Sequence, residues 1–205
     1  MDDIFYHEEY KMWWPKFDHN PKGNKHTIEN GIGAIEVLRK HCKSFDVCVQ
    51  AGGHLGYWPI ELSQHFNNVY TFEADPIVYD CLERNTKGTQ NIYPSSYALG
   101  AIKGSVKLMR GASAGGSRVD ESGKVFVSQV PMDNLCLDPC DAIILDIEGG
   151  EINALKGAEK KIERFSPVIL VEELPEFKEE LHAYLESINY KRVDEYARDG
   201  IWVRK

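Results

Sequence analysis

The chain has 205 residues, 42% of them hydrophobic and 27% charged, which suits one globular domain and leaves no room for two of ordinary size. Its formal charge of −8, with no clustering of Lys and Arg, argues against nucleic acid or an anionic membrane as the main partner. No apolar run approaches the roughly 20 residues needed to span a bilayer, and the acidic start MDDIFYHEEY lacks an apolar signal core, so the chain reads as unsecreted and cytoplasmic.

In chain order, residues 1–30 read as irregular, because Trp13-Trp14-Pro15 and Asn20-Pro21-Lys22-Gly23 interrupt any long helix. Ile32, Ile35, Val37 and Leu38 then suit a short amphipathic helix over 32–42. Phe45–Gln50 reads as a buried strand, followed by a three-glycine turn and a helix over 57–66. A strand over 69–72 leads into a helix beginning at Pro76 and running to about Asn85. Residues 91–99 are a third strand, and 106–109 with 124–130 form an inserted hairpin around the glycine-bearing loop 111–118.

Residues 141–147 form another buried strand. Ile152, Leu155, Ala158, Ile162 and Phe165 predict one helix with a single core face. A strand over 167–171, a helix over 177–188 and a closing antiparallel hairpin (190–196 and 200–204, joined by Ala197-Arg198-Asp199) complete the chain. Strands alternating with helices imply a doubly wound, mostly parallel α/β sheet covered on both faces, ending in an antiparallel hairpin. A single domain over 1–205 is expected, with residues 1–43 as an N-terminal lid or helix segment and the inserted hairpin at about 104–130. The cysteines Cys42, Cys48, Cys81, Cys136 and Cys140 show no disulfide framework and read as reduced thiols. Cys136 and Cys140 lack the partners of a zinc site, so no metal is assigned.

Open α/β sheets bind ligands outside the carboxyl ends of their strands, where the strand order reverses. The turn Gln50-Ala51-Gly52-Gly53-His54-Leu55-Gly56 stands at that place, and its missing side chains would let a ligand approach backbone N–H groups. Glu73 follows at the end of the next strand, where a carboxylate accepts from both hydroxyls of an adenosine ribose. The glycines fit two fingerprints: Ala51-x-Gly53-x-x-Gly56 for a dinucleotide, and Gln50-x-Gly52-x-x-x-Gly56 for S-adenosylmethionine. The antiparallel hairpin and the absence of a separate hydride-acceptor domain favour the second. A non-catalytic nucleotide-binding module and a small NAD-type oxidoreductase stay open as alternatives.

Several segments carry a more specific pattern. They are Val49–Gly56 (VQAGGHLG), Thr71–Pro76 (TFEADP), Ala98–Gly100, Ile144–Glu151 (ILDIEGGE) with Ala154–Ala158 (ALKGA), and Pro167–Glu172 (PVILVE). In these the chain resembles the FkbM-type class I methyltransferases. The resemblance implies S-adenosylmethionine as cofactor, S-adenosylhomocysteine as product, and O-methylation of a hydroxyl on a small-molecule acceptor such as a sugar. It also implies a cofactor site at Gln50, Ala51, Gly52, Gly53, His54, Gly56, Glu73, Ala74, Asp75, Tyr97, Ala98 and Asp146. Gln50 departs from the acidic residue usual there; an amide keeps an acceptor oxygen and adds donors, so it is expected to hold the cofactor's amino-acid portion as a neutral acceptor.

Acids at strand ends are the candidates for chemistry: Asp146 and Glu148 after the fourth main strand, Glu172 after the fifth. Asp146 is expected to face the cofactor or to take the acceptor's proton, while Glu148 either joins it or caps the following helix. Asp146 with Glu172 would equally suit a magnesium or calcium ion. The ring of Tyr97 either stacks on adenine or fills core, and His54 either touches the ligand or lies in solvent. Trp13, Trp14, Asp18 and His19 are candidates for a lid over the acceptor.

Overall fold

The computed structural model describes residues 3–205. Strands β1 (Ile4–His7) and β2 (Met12–Pro15) pair as an antiparallel hairpin, so the N-terminal segment is ordered where the sequence reads as irregular. Helix α1 (Pro21–Gly31) begins at Pro21 itself, because a missing N–H costs nothing in a first turn and the Asn20 side chain accepts from Gly23 N at 3.3 Å. The supposed helix breaker is a helix start. Helix α2 (Gly33–Arg39) follows.

A regular alternation comes next: β3 (Val47–Ala51), α3 (Tyr57–Ser63), β4 (Asn68–Phe72), α4 (Pro76–Thr86) and β5 (Ile92–Ser95). The expected strand over 91–99 is split. Its end forms β6 (Ala98–Leu99), which joins β7 (Gly104–Met109), β8 (Arg118–Val119) and β9 (Val125–Val130) in a separate four-stranded sheet of order β6-β9-β7-β8. The chain returns through β10 (Ala142–Leu145), α5 (Glu151–Lys156), α6 (Glu159–Phe165), β11 (Val168–Glu172), α7 (Lys178–Ser187), β12 (Tyr190–Tyr196) and β13 (Asp199–Arg204).

One helix was expected where α5 and α6 lie. It breaks because Gly157 packs on the Gly100 carbonyl, which leaves no space for a side chain, and because Asp133 caps the second piece from outside. The Asp133 carboxylate accepts from Lys160 N and Lys161 N at 2.9 and 3.0 Å.

The main sheet has the order β12-β13-β11-β10-β3-β4-β5, parallel from β5 to β11, with β13 antiparallel between β11 and β12. Alternate residues feed two cores. Val47, Val49, Ile143, Leu145 and Ile169 pack under α5, α6 and α7, while Cys48, Ile144 and Leu170 pack under α2 and α3. The order reverses beside β3, which places the ligand crevice above β3 and its neighbours. No helix among the described residues is long and apolar enough to cross a membrane.

The N-terminal hairpin is an anchor. Trp14 is fully buried with Ile4, Met12, Leu55 and Val78, and its Nε1 donates to Asp18 Oδ2 at 3.0 Å. Asn85 on α4 fixes Trp13 through both backbone groups, accepting from Trp13 N at 2.7 Å and donating to Trp13 O at 3.0 Å. The Arg84 guanidinium covers the Trp13 ring at 4.4 Å. A Trp14→Ala change therefore removes a large buried side chain together with a hydrogen bond. It is expected to cost about 3–5 kcal/mol, read as a lowered urea midpoint with an unchanged slope.

Candidate active site

Register builds the site. Ala51 of β3 lies level with Phe72 of β4 and with Leu145 of β10, and Leu145 lies level with Val171 of β11. The next residues, Glu73, Gly52, Asp146 and Glu172, therefore form a row across four strand ends. Glu172 in turn pairs with Asp199 of β13. Neighbouring strands are about 4.8 Å apart, so adjacent members of the row meet and Glu73 stands about 10 Å from Asp146. Above the row opens a cavity of about 870 Å³. The loop 113–120, here the roof loop, borders it, as do Tyr97, between β5 and β6, and Ala98, which opens β6.

The glycine turn is shaped by the protein itself. Gly52 has φ +84, and a Cβ there would strike the Asp146 carbonyl oxygen, so only glycine fits. Its N–H and that of Gly53 both donate to Phe72 O, at 3.0 and 2.9 Å. These two N–H groups stitch the turn to β4. His54 N donates to Glu73 Oε2 at 2.9 Å, and Asp75 N donates to Glu73 Oε1 at 2.9 Å. Ala74 is a third backbone donor to the same carboxylate, which keeps acceptor capacity for a further donor from the cavity. Burial pushes the Glu73 carboxyl up to about 7, against the pull of these backbone donors.

Of the candidate cofactor residues, Ala51, Gly52, Gly53, His54, Glu73, Ala74, Tyr97, Ala98 and Asp146 line the cavity. Gln50, Gly56 and Asp75 do not. Gln50 is 1% exposed, donates from Nε2 to Gly52 O at 2.7 Å and accepts from the Thr71 hydroxyl. Its amide spans β3, the turn and β4, a task that needs a donor as well as an acceptor, so the role expected of it at the cofactor is corrected. Gly56 packs against α4 near Thr86 and Leu82. Asp75 caps α4 by accepting from Ile77 N at 2.9 Å, and it holds Arg110 in a two-pronged pair at 2.6 and 2.8 Å. Ser117 Oγ donates to the same carboxylate at 3.2 Å, so Asp75 pins both ends of the roof loop. Trp13, Trp14, Asp18 and His19 lie outside the lining; Asp18 braces the roof by accepting from Ala114 N at 3.4 Å.

The other end of the row is acidic. Asp146, Glu148, Glu172 and Asp199 all line the cavity, with Arg198 beside them. Burial raises the Glu172 carboxyl well above the usual range, and the nearby Asp146 charge raises it further. Burial also raises Asp146, while Glu172 and Arg198 work against the rise. The two acids hydrogen-bond to each other and titrate as a pair, with proton affinity raised by burial and mutual repulsion. Burial and then Asp146 push Asp199 up to about 7. Glu148 sits at φ +54 and does not cap the next helix, whose N-cap Gly150 has no side-chain cap; Glu151 closes the preceding turn, accepting from Ile147 N and Gly149 N at 3.1 and 3.2 Å. Glu148 is left free to face the cavity.

Sequence reasoning missed Tyr57, Trp58, Arg118, Phe177, Tyr196, Arg198 and Asp199 in the lining. Arg198 and Asp199 were visible only as a hairpin turn, and their position follows from the pairing of β11 with β13. Burial lowers His54 to about 4, so it is neutral in the turn.

A family model described as the methyltransferase FkbM domain matches residues 50–192. Methyltransferase FkbM from Methylobacillus flagellatus KT is similar in structure with a TM-score of 0.58 and 20% identity, covering 78% of this chain and 43% of its own. The chain thus spans less than half of that protein. The magnesium protoporphyrin IX methyltransferase of Synechocystis PCC 6803, solved with bound SAM, has a TM-score of 0.52 and 13% identity, covering 89% of this chain and 80% of its own. These likenesses carry the fold. No curated protein matches the chain in sequence.

Gln50→Asp shortens the side chain, strips Gly52 O of its donor and buries a charge between strands. It is expected to destabilise the fold by about 1–3 kcal/mol, whereas Gln50→Met, which fills the space without a charge, should cost less. Chemical denaturation of both variants checks the order.

Proposed function

Because the chain belongs to the FkbM methyltransferase domain family, we propose that it moves a methyl group from S-adenosylmethionine to a hydroxyl of a small molecule, such as a sugar. The observation that carries this reading is the row of strand-end groups. A carboxylate with spare acceptor capacity stands at one end, a hydrogen-bonded acid pair stands at the other, and one cavity spans both. Its volume of about 870 Å³ lies toward the upper end of ligand sites, as two ligands together require.

Glu73 would take the ribose hydroxyls, with Tyr97 and Ala98 beside the adenine. Ala51, Gly52 and His54 would line the path of the methionine portion. When bound, the cofactor supplies an electrophilic methyl group. Asp146 orients the acceptor hydroxyl and receives its proton, and burial beside Glu172 makes it more basic than a solvated carboxylate. The roof loop pinned by Asp75 excludes water above them. Five free cysteines support a reducing, cytoplasmic setting.

Three outcomes are expected. Glu73→Ala lowers S-adenosylhomocysteine affinity roughly five- to 150-fold, the worth of about 1–3 kcal/mol; calorimetry showing no change would overturn the assignment. The ribose hydroxyls prefer an ionised Glu73. With the carboxyl at about 7, affinity should therefore rise about tenfold from pH 6 to pH 8, and this rise should vanish in Glu73→Gln. The sign for the free protein is opposite. Its stability from this group is full below the carboxyl's ordinary 4.5 and is lost as pH climbs through about 7. Lastly, Asp146→Asn should slow transfer by about 10²–10⁴, and a rate within threefold of the parent excludes a base there.

A further inference from the structure

The acidic end of the cavity asks for more positive charge than the chain provides. Glu172 is 7% exposed, and its Oε2 is buried with no donor facing it among the described residues. Its other oxygen meets the guanidinium of Arg198 at 3.4 Å, from a side chain that is 68% exposed, and the carboxyl hydrogen-bonds to Asp146, itself an acid. The groups that face Glu172 from adjoining strand ends are Asp146, Glu148 and Asp199, all carboxylates. Six acidic side chains line the cavity against two arginines. The sulfonium and ammonium of the cofactor, offset by its own carboxylate, neutralise only part of this excess. A buried pair of acids with no buried cation beside it is costly.

Resting on the reading above, we propose that the acceptor is a cationic amine, an amino sugar or amino alcohol whose ammonium sits against Glu172 while a neighbouring hydroxyl meets Asp146. An ammonium presents three donors, which suit the bare Glu172 oxygen and its acidic neighbours. A neutral polyol supplies donors but no charge, and a phosphate or carboxylate acceptor meets repulsion. A divalent metal is a poorer match. Among the described residues, the one group whose three acidic or imidazole ligand atoms converge is Glu36, Glu61 and His65 on the outer faces of α2 and α3, away from this cavity. The aromatic side chains of Tyr57, Trp58, Phe177 and Tyr196 in the lining provide further favourable surface for a cation. Burial and mutual repulsion raise Glu172 and Asp199, as expected of acids awaiting a cation.

The charge of the methylated product decides the matter, whatever the acceptor is. The protein is incubated with methyl-labelled S-adenosylmethionine and a small-molecule cell extract. Unreacted S-adenosylmethionine, itself a cation, is separated by chromatography against an authentic standard, and the remaining labelled products are sorted on ion exchangers at neutral pH. Label held by the cation exchanger and released by alkali supports the proposal. Label in neutral or anionic products overturns it while leaving methyl transfer intact. Absence of labelled product, despite measurable S-adenosylhomocysteine binding, overturns the transfer reading and this proposal together. Glu172→Gln provides the second arm. It should cut labelling roughly 10- to 150-fold and change S-adenosylhomocysteine affinity by less than threefold. An equal loss in both would assign Glu172 to the cofactor's own ammonium and sink the acceptor role.

Discussion

The common register of the strand ends is the constraint on which the rest depends. Because Ala51, Phe72, Leu145 and Val171 lie level, the following residues emerge as one row, and each side chain's position is inherited from backbone hydrogen bonds. Gly52 keeps the row tight by lying against the Asp146 carbonyl without a side chain between them. A slip of one residue in any of these pairings would turn Glu73, Asp146 or Glu172 to the other face of the sheet. Two apolar cores clamp the strands from either side and make such a slip expensive.

The row opposes two demands. Packing acids on neighbouring strands raises their proton affinity and weakens the free fold, yet a site for a cationic cofactor gains from the same charges. Elsewhere the chain neutralises its buried acids within itself. Glu173, one residue past Glu172, is held at about 2: burial works against this, but Arg192, Lys178 and His182 outweigh it. Glu172 lacks such company. The contrast between adjacent glutamates separates an acid used for architecture from one left available.

Much of this was legible in the chain. The alternation of β-branched runs and amphipathic segments specifies the sheet, because burial on both faces demands it, and the motif around Asp146 and Glu73 marks the crevice. What escaped depends on partners distant in sequence. Gln50 reads as a ligand contact until Thr71 and the Gly52 carbonyl are seen on either side of it. Asp75 sits in a cofactor motif, yet Arg110 claims its carboxylate from 35 residues away. Pro21 reads as an interruption because its cap, Asn20, precedes it. Asp199 becomes a site residue only through antiparallel pairing with Glu172, which no local pattern announces.

The N-terminal hairpin has a consequence for the order of assembly during synthesis. Trp13 is fastened to Asn85, 72 residues further along, and Trp14 is buried partly against Val78 and Leu55. Until α4 leaves the ribosome, these aromatic residues have only the hairpin's own side chains, such as Tyr6 and Tyr10, against them. At the usual elongation rates of about 5–20 residues per second, that interval lasts about 4–14 s. For that time the growing chain presents a pair of tryptophans covered on one side only.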